Sequence, residues 1–380
     1  MGLFLKNLIH CVTNNVVLFV LVIINLQSHF TSAAIGVNYG RLGDNLPSPI
    51  DVINLYKREN IPLLRLFDPN PDILNALRGS GIKVSLGINN ANVTNIAMNL
   101  NTAIEWVNTN VVPYSKDVNF GWITVGNEMV PSVPGAPLIT QAMSNIQAAL
   151  NGAGLSGVVN VSTVVSTNVL GVSYPPSASD FSDEAREVMK GIVTWLEVCV
   201  ADEQEKILYI ILPGLGTQNN DVTFIIFLMP TGTKSPLMIN VYPYIAFASN
   251  IGQIPLDYAL FAAQNPVIDG QYVYHSLFEA MVDSFYAAVE KNGAQNVPIV
   301  VAETGWPTAG NEPYTSVGNA QAYNQRLINK MKQSGTPRRP GILLECLIFA
   351  MFNEDQKPVG VEQNWGIHYP NMNPVYPLVF

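Results

Sequence analysis

Residues 272–307 read YVYHSLFEAMVDSFYAAVEKNGAQNVPIVVAETGWP. Leu277, Met281, Phe285 and Ala288 recur every three or four residues, the spacing of a helix that lays one face on a sheet. A helix is therefore expected over Tyr272 to Lys291. Ile299 to Ala302 follow as a short apolar run of strand length, and it ends on a charged residue, Glu303. The same unit repeats along the chain. Strands are expected at Ile35 to Tyr39, Leu63 to Phe67, Lys83 to Ile88, Trp122 to Val125, Val159 to Val165, Leu237 to Val241, Ile299 to Ala302 and Leu344 to Met351. Further helices are expected at Pro49 to Glu59, Pro71 to Arg78, Asn95 to Val111, Ile139 to Ala153, Asp183 to Trp195 and Ala320 to Lys332. Alternation of this kind implies parallel strands joined by crossover helices. An open doubly wound sheet would show a glycine-rich turn after its first strand, and Gly214-Leu-Gly216 is too little to be one. The expected fold class is α/β, a single (β/α)8 TIM barrel from residue 35 to the C-terminus.

Of the 380 residues 48% are hydrophobic and only 12% charged, enough apolar material for a large core. A net charge of -9 argues against nucleic acid or an anionic membrane surface as partner, since both need clustered Lys and Arg. A neutral substrate and a monomer fit better.

Residues 1–34 read as a secretory signal: Lys6, an apolar run from Val16 to Ile24, then Ser32, Ala33 and Ala34 at a cleavage site. That run is too short to span a bilayer, although an uncleaved anchor is the alternative. A secreted, extracellular protein with no membrane contact after cleavage is expected. Past the leader only Cys199, Cys346, His275 and His368 remain, so neither a disulfide framework nor a metal site is expected, and no cofactor. Asn92-Val-Thr and Asn160-Val-Ser are possible glycosylation sequons.

Barrel enzymes carry their chemistry where strands end. Two carboxylates stand at such positions. Ile123-Thr-Val-Gly-Asn127-Glu128 runs an apolar strand into Glu128, and Ile299-Val-Val-Ala runs into Glu303. A charge directly after an apolar run is costly to bury and asks for a reason. Glycosidic hydrolysis is one: one carboxyl protonates the leaving oxygen while a second attacks the anomeric carbon, at a separation of roughly 5 Å in retaining enzymes. Each Glu taken singly reads equally well as a structural ion-pair partner.

The stretch Val300-Val-Ala-Glu303-Thr-Gly305-Trp306-Pro307-Thr-Ala-Gly310 resembles the signature of glycoside hydrolase family 17, the plant β-1,3-glucanases. Further blocks in family order are Ile35-Gly-Val-Asn-Tyr39-Gly40, Arg65-Leu-Phe-Asp68-Pro69-Asn70, Val125-Gly-Asn-Glu128, Asn240-Val-Tyr-Pro-Tyr244, Asp269-Gly-Gln-Tyr272 and Phe349 to Lys357. The resemblance implies a retaining endo-β-1,3-glucanase acting on β-1,3-glucan, with Glu128 as proton donor and Glu303 as nucleophile. It also places a supporting carboxylate and lysine on Glu354 and Lys357, with Glu362 a weaker match. Asn127, Tyr39, Tyr242 and Tyr244 are expected to support the site or line the glucan cleft, and Trp306 to form an apolar wall or a sugar-stacking platform. Phe67 stands where the family commonly has tyrosine. His368 stands where an aromatic hydrocarbon ring is common and is expected to be a partly buried structural residue.

One segment departs from the pattern. Between Trp195 and Lys234 about 35 residues intervene where relatives pass almost directly from helix to strand. Residues from about Glu197 to Thr231 are expected to be an insertion, either native or translated from an intron. Two other readings stay open: a β-1,3-1,4-glucanase of the same family, and a glucan-binding wall protein with little turnover.

Overall fold

The computed structural model describes residues 34–201, 206–212, 223–229, 235–333 and 335–380, so all but the last residue of the expected signal lie outside the described residues. Eight parallel strands close into a barrel: β1 (Ile35–Asn38), β2 (Leu63–Leu66), β3 (Lys83–Ile88), β4 (Asn119–Asn127), β5 (Asn160–Ser166), β6 (Leu237–Asn240), β7 (Ile299–Thr304) and β8 (Cys346–Ile348). Each pairs with its chain neighbour and β8 closes on β1, with Ile35 beside Cys346. All eight expected strands are present. The last is shorter than expected, three residues rather than eight.

Helix ends follow local chemistry. Ser48 caps α1 (Pro49–Arg58) by accepting the Asp51 N–H, and Asn70 caps α2 (Pro71–Leu77) by accepting that of Ile73. The helix expected over Asn95 to Val111 is two helices, α3 (Asn90–Met98) and α4 (Leu100–Asn110). Asn99 is extended, at φ -145°, and its side chain caps the second. Next come α5 (Ile139–Gly152) and α6 (Asp183–Ala201), the latter six residues longer than expected. Past β6 lie α7 (Pro243–Ser249) and α8 (Leu256–Ala259). The helix expected from Tyr272 starts later, as α9 (Leu277–Lys291). Ser276 caps it by accepting the Glu279 N–H and donates its hydroxyl to the Glu279 carboxylate, while Tyr272–Tyr274 pair antiparallel with Val267–Asp269. The last helix is α10 (Val317–Met331), capped by Ser316.

Side chains alternate across each strand, and this alternation sets up the site. Leu63, Trp122, Val164, Met238, Val300, Ala302 and Leu347 fill the barrel interior, whereas Leu64, Leu66, Ile239 and Val301 pack in the core beneath the helices. At the lower end Lys83 lies over the Trp122 ring, 3.7 Å from its centroid, and pairs with Glu345. The upper ends of the same strands carry polar side chains.

The departing segment adds strands outside the barrel. Lys206–Leu212 and Thr223–Met229 pair antiparallel with each other, Lys206 opposite Met229 and Leu212 opposite Thr223, and with no barrel strand. Glu197, the first residue of the expected insertion, accepts hydrogen bonds from the Asn296 backbone and side-chain amides at 3.1 and 2.6 Å. It ties α6 to the loop before β7. Of the two sequons, Asn92 is exposed on α3, while Asn160 is the half-buried first residue of β5.

Candidate active site

Arg65 is two residues beyond Leu63 on β2, so the strand period turns it into the barrel, where it is 1% exposed. Glu303 arrives by a different route. Val300 and Ala302 already face inward, and plain alternation would send Glu303 outward. A register shift against β6, with Ile239 beside Val301 but Asn240 beside Glu303, inserts one residue and turns the carboxylate to the mouth. Arg65 Nη1 donates to Glu303 Oε1 at 2.6 Å. Tyr242, just past β6, donates its hydroxyl to Oε2 at 2.7 Å. Both oxygens of Glu303 are thus held in place.

Glu128 leaves the end of β4 at φ +53°, a left-handed conformation that costs a non-glycine residue about 1–2 kcal/mol. Gly126 precedes it at φ +72°, and β4 slips register against β5 between Thr124 and Asn127. The Glu128 N–H is taken up by the Val164 carbonyl at 2.9 Å. Asn240 Nδ2 donates to Glu128 Oε1 at 2.7 Å and to Asn127 Oδ1 at 3.3 Å, and Arg65 Nη2 donates to the same Asn127 oxygen at 2.9 Å. A polar chain therefore links the two carboxylates in the order Glu303, Arg65, Asn127, Asn240, Glu128. Burial, and then the negative charge of Glu303, push the Glu128 carboxyl above its ordinary value; the Asn240 hydrogen bond and the Arg65 charge pull the other way. Burial and the charge of Glu303 raise the Tyr242 phenol as well, which keeps it a hydrogen-bond donor.

Glu128 and Glu303 line one open pocket of about 400 Å3 together with Asn240, Tyr242, Phe349 and Trp365. It continues over Thr167, Ala246 and Met281 into a second cavity of about 550 Å3 walled by Leu170, Tyr174, Pro176 and Tyr258. The arrangement offers an acid poised to keep its proton and a carboxylate fixed by two donors. Those are the parts that glycosidic bond cleavage needs.

The other expected site residues divide. Asn127 and Tyr242 belong to the network just described. Tyr39, Tyr244 and Trp306 are buried and do not line the pocket. Trp306 is 0% exposed, donates its indole N–H to the Tyr314 carbonyl and packs against Tyr244 and Tyr323, which corrects the expectation of a platform. Tyr244 stands edge-on to Trp365 and so supports the wall from behind. Glu354 is buried under the loop after β1, where its Oε1 accepts the Leu42 N–H at 2.7 Å. A Cβ on Gly40 would lie 2.3 Å from Glu354 Oε2, so any other residue there would have to displace the Glu354 carboxylate. Lys357 Nζ sits 3.2 Å from Glu354 Oε2 and 4.0 Å from the centroid of the Phe349 ring. The pair thus reaches Phe349, which lines the pocket. The weaker match, Glu362, lines the pocket itself. Phe67 lies under the Arg65 guanidinium at 4.5 Å. His368 is buried beside Glu59, and burial lowers its pKa.

Sequence reasoning assigned no role to Arg65, Asn240, Asn90 or Trp365. A signal existed for the first: in Leu63-Leu-Arg-Leu66 the arginine interrupts an apolar strand at an inward position. Among the described residues no group of His, Cys, Asp and Glu is placed to hold a metal ion, and no helix is long and apolar enough to cross a membrane.

A closed (β/α)8 barrel with two carboxylates over one polar pocket defines a glycosidase-type architecture. The chain matches glycosyl hydrolases family 17 over residues 35–228 and 215–380, two stretches that overlap inside the departing segment, and it belongs to that family. It is 42% identical to a putative glucan endo-1,3-β-glucosidase of Hordeum vulgare, covering 91% of this chain and 97% of that one. It is 42% identical to a glucan endo-1,3-β-glucosidase of Solanum lycopersicum, covering 93% and 89%. The structure of a β-1,3-glucanase and pollen allergen of Cryptomeria japonica superposes with a TM-score of 0.80 at 38% identity, covering 91% of this chain and 99% of that chain. A plant β-glucan endohydrolase, one of two described as differing in substrate specificity, superposes at 0.78 and 40%, covering 91% and 100%.

Proposed function

We propose that this protein is a glucan endo-1,3-β-glucosidase that hydrolyses internal β-1,3 bonds with retention of configuration, Glu128 acting as acid and base and Glu303 as nucleophile. The observation that carries the reading is the pairing across one pocket of a carboxyl raised by burial and by Glu303 with a carboxylate gripped by Arg65 and Tyr242. Relatives named as glucan endo-1,3-β-glucosidases supply the substrate class.

In the first step Glu128 gives its proton to the glycosidic oxygen as that bond breaks, while a Glu303 oxygen bonds to the anomeric carbon. The shortened chain leaves with a new hydroxyl. In the second step Glu128, now ionised, takes a proton from water, whose oxygen attacks the same carbon and releases Glu303. The double inversion leaves a β anomer. The continuation of the pocket into the second cavity supports attack inside a long chain rather than at its end.

The test is reducing-sugar release from laminarin beside barley mixed-linkage glucan, with proton NMR of the first product. Rapid release from laminarin as the β anomer is expected. Preference for the mixed glucan would favour the β-1,3-1,4 reading, which a plant structural relative from a pair of differing specificity keeps in view. An α anomer formed first would overturn retention. Absence of release from both glucans would favour a binding protein. The leader at residues 1–34 supports secretion toward the cell wall, although a Nicotiana tabacum relative is named a vacuolar isoform. Cell fractionation with antibody detection separates the two destinations.

A further inference from the structure

β3 and β4 run side by side as far as Ile88 and Val125, and there β3 ends. β4 continues through Gly126 and Asn127 to Glu128 with no strand on that flank. The next residues of the β3 side are Asn89, whose side chain caps α3, and Asn90, the first residue of that helix. The Asn90 side chain takes over where the strand stops. Its Oδ1 accepts the Asn127 N–H at 2.7 Å, and its Nδ2 donates to the Asn127 carbonyl at 2.9 Å. A primary amide has the donor and acceptor of a peptide group, so one side chain makes both bonds that a neighbouring strand would have made. On the other flank the Val164 carbonyl holds the Glu128 N–H.

Asn127, whose backbone N–H and C=O are clamped in this way, lies between two residues of left-handed φ, Gly126 at +72° and Glu128 at +53°. Such a conformation persists only where its surroundings over-determine it. Built at Gly126, a Cβ would meet Asn90 Oδ1 at 3.4 Å, which places the amide directly against the turn.

We propose that Asn90 is a positioning residue for Glu128: its amide fixes the peptide ahead of the acid so that the carboxyl meets the glycosidic oxygen. The proposal rests on the reading of Glu128 as acid and base. Asn90 does not line the catalytic pocket, so it acts on the site through the Asn127 backbone that leads into Glu128.

The experiment compares the parent, Asn90→Ala, Asn90→Asp and Glu128→Gln on laminarin and on 2,4-dinitrophenyl β-laminaribioside, whose leaving group departs without protonation. For Asn90→Ala we expect kcat on laminarin to fall about 10- to 100-fold with KM little changed, while the first-turnover burst of dinitrophenolate stays within about 3-fold of the parent. Asn90→Asp keeps an acceptor for the Asn127 N–H and should fall between; it carries the test if the alanine variant does not fold. A loss of equal size on both substrates would mean a general structural role and overturn the proposal, as would parent-like activity on laminarin. Parent-like hydrolysis of laminarin by Glu128→Gln would instead sink the acid assignment. That outcome is read independently of Asn90.

Discussion

Arg65 and Glu303 form a buried ion pair across the barrel, Nη1 to Oε1 at 2.6 Å, between side chains 1% and 8% exposed. Two charges so enclosed are tolerable only together, and each is further tied by a neutral group, Asn127 on one side and Tyr242 on the other. Removing the arginine leaves a carboxylate buried without a counter-charge. Arg65→Met should lower unfolding stability at pH 7 by about 3–5 kcal/mol and hydrolysis by at least roughly 100-fold. Denaturant unfolding beside laminarin kinetics checks both; a loss below about 1 kcal/mol would show the pair to be dispensable.

Glu303→Gln keeps the volume and removes the proposed nucleophile, so hydrolysis should disappear; the buried Arg65 guanidinium loses its counter-charge, so the thermal midpoint should fall while the fold is kept. Activity within about tenfold of the parent would remove Glu303 from the role.

Asn240 donates to Glu128 and so favours its ionised form. Taking that donor away raises the Glu128 pKa further, and a general acid then holds its proton to higher pH. Asn240→Ala should therefore move the alkaline limb of the kcat/KM profile on laminarin upward while lowering its height. A limb that stays put, or moves toward acid, would mean that the limb does not report Glu128.

Asp283 on α9 is wholly buried and accepts the Arg338 N–H at 2.8 Å, and burial pushes its carboxyl up to about 6. A carboxyl raised above its unfolded value contributes stability in full below that value, near 4, and the contribution is lost as pH climbs to about 6. Asp283→Asn should flatten the stability curve over this window relative to the parent, by about 2–3 kcal/mol. Urea midpoints of the two proteins measured at several pH values would show it; parallel curves would exclude Asp283 as the source.

Glu197 is bonded to Asn296, so any excision of the departing segment must spare it. Deleting residues 199–231 leaves Gly232 to Pro236 to bridge α6 and β6 at the face opposite the chemistry. The loop itself costs on the order of 1–2 kcal/mol, and its apolar, nearly uncharged runs are the larger hazard. The deletion variant should be more soluble and at least as active on laminarin. Unfolding or lost activity, beside a soluble and active full chain, would make the segment an integrated part of the protein.

Local signals carried much of this protein. Each barrel strand is a short apolar run between helix periods, and such runs depend only on neighbours a few residues away; so do the caps at Ser48, Asn70, Ser276 and Ser316. Glu128 and Glu303 were legible for the same reason, as charges set directly at the ends of such runs. The helix α9 is shorter than its periodicity implies, because Tyr272 and Tyr274 continue the apolar pattern yet pair with Asp269 and Val267 in a hairpin that periodicity does not report.

What the tertiary structure alone decided is how these pieces meet. Closing the barrel brings Arg65 of β2 to Glu303 of β7 across 238 positions of sequence, and Asn240 of β6 to Glu128 past β4 across 112. Local spacing contains no record of such partners. The shift beside Ala302 reverses which face Glu303 takes, and the left-handed turn at Glu128 exists because Asn90 and Val164 hold it from two flanks. Chain closure likewise sorted the aromatic residues: Tyr242 and Trp365 line the pocket, while Tyr39, Tyr244 and Trp306 do not. The sequence by itself determined the barrel and its two carboxylates because strand period and burial cost act over a few residues. Chain closure determined their partners, because only the assembled barrel brings distant strand ends within hydrogen-bonding distance.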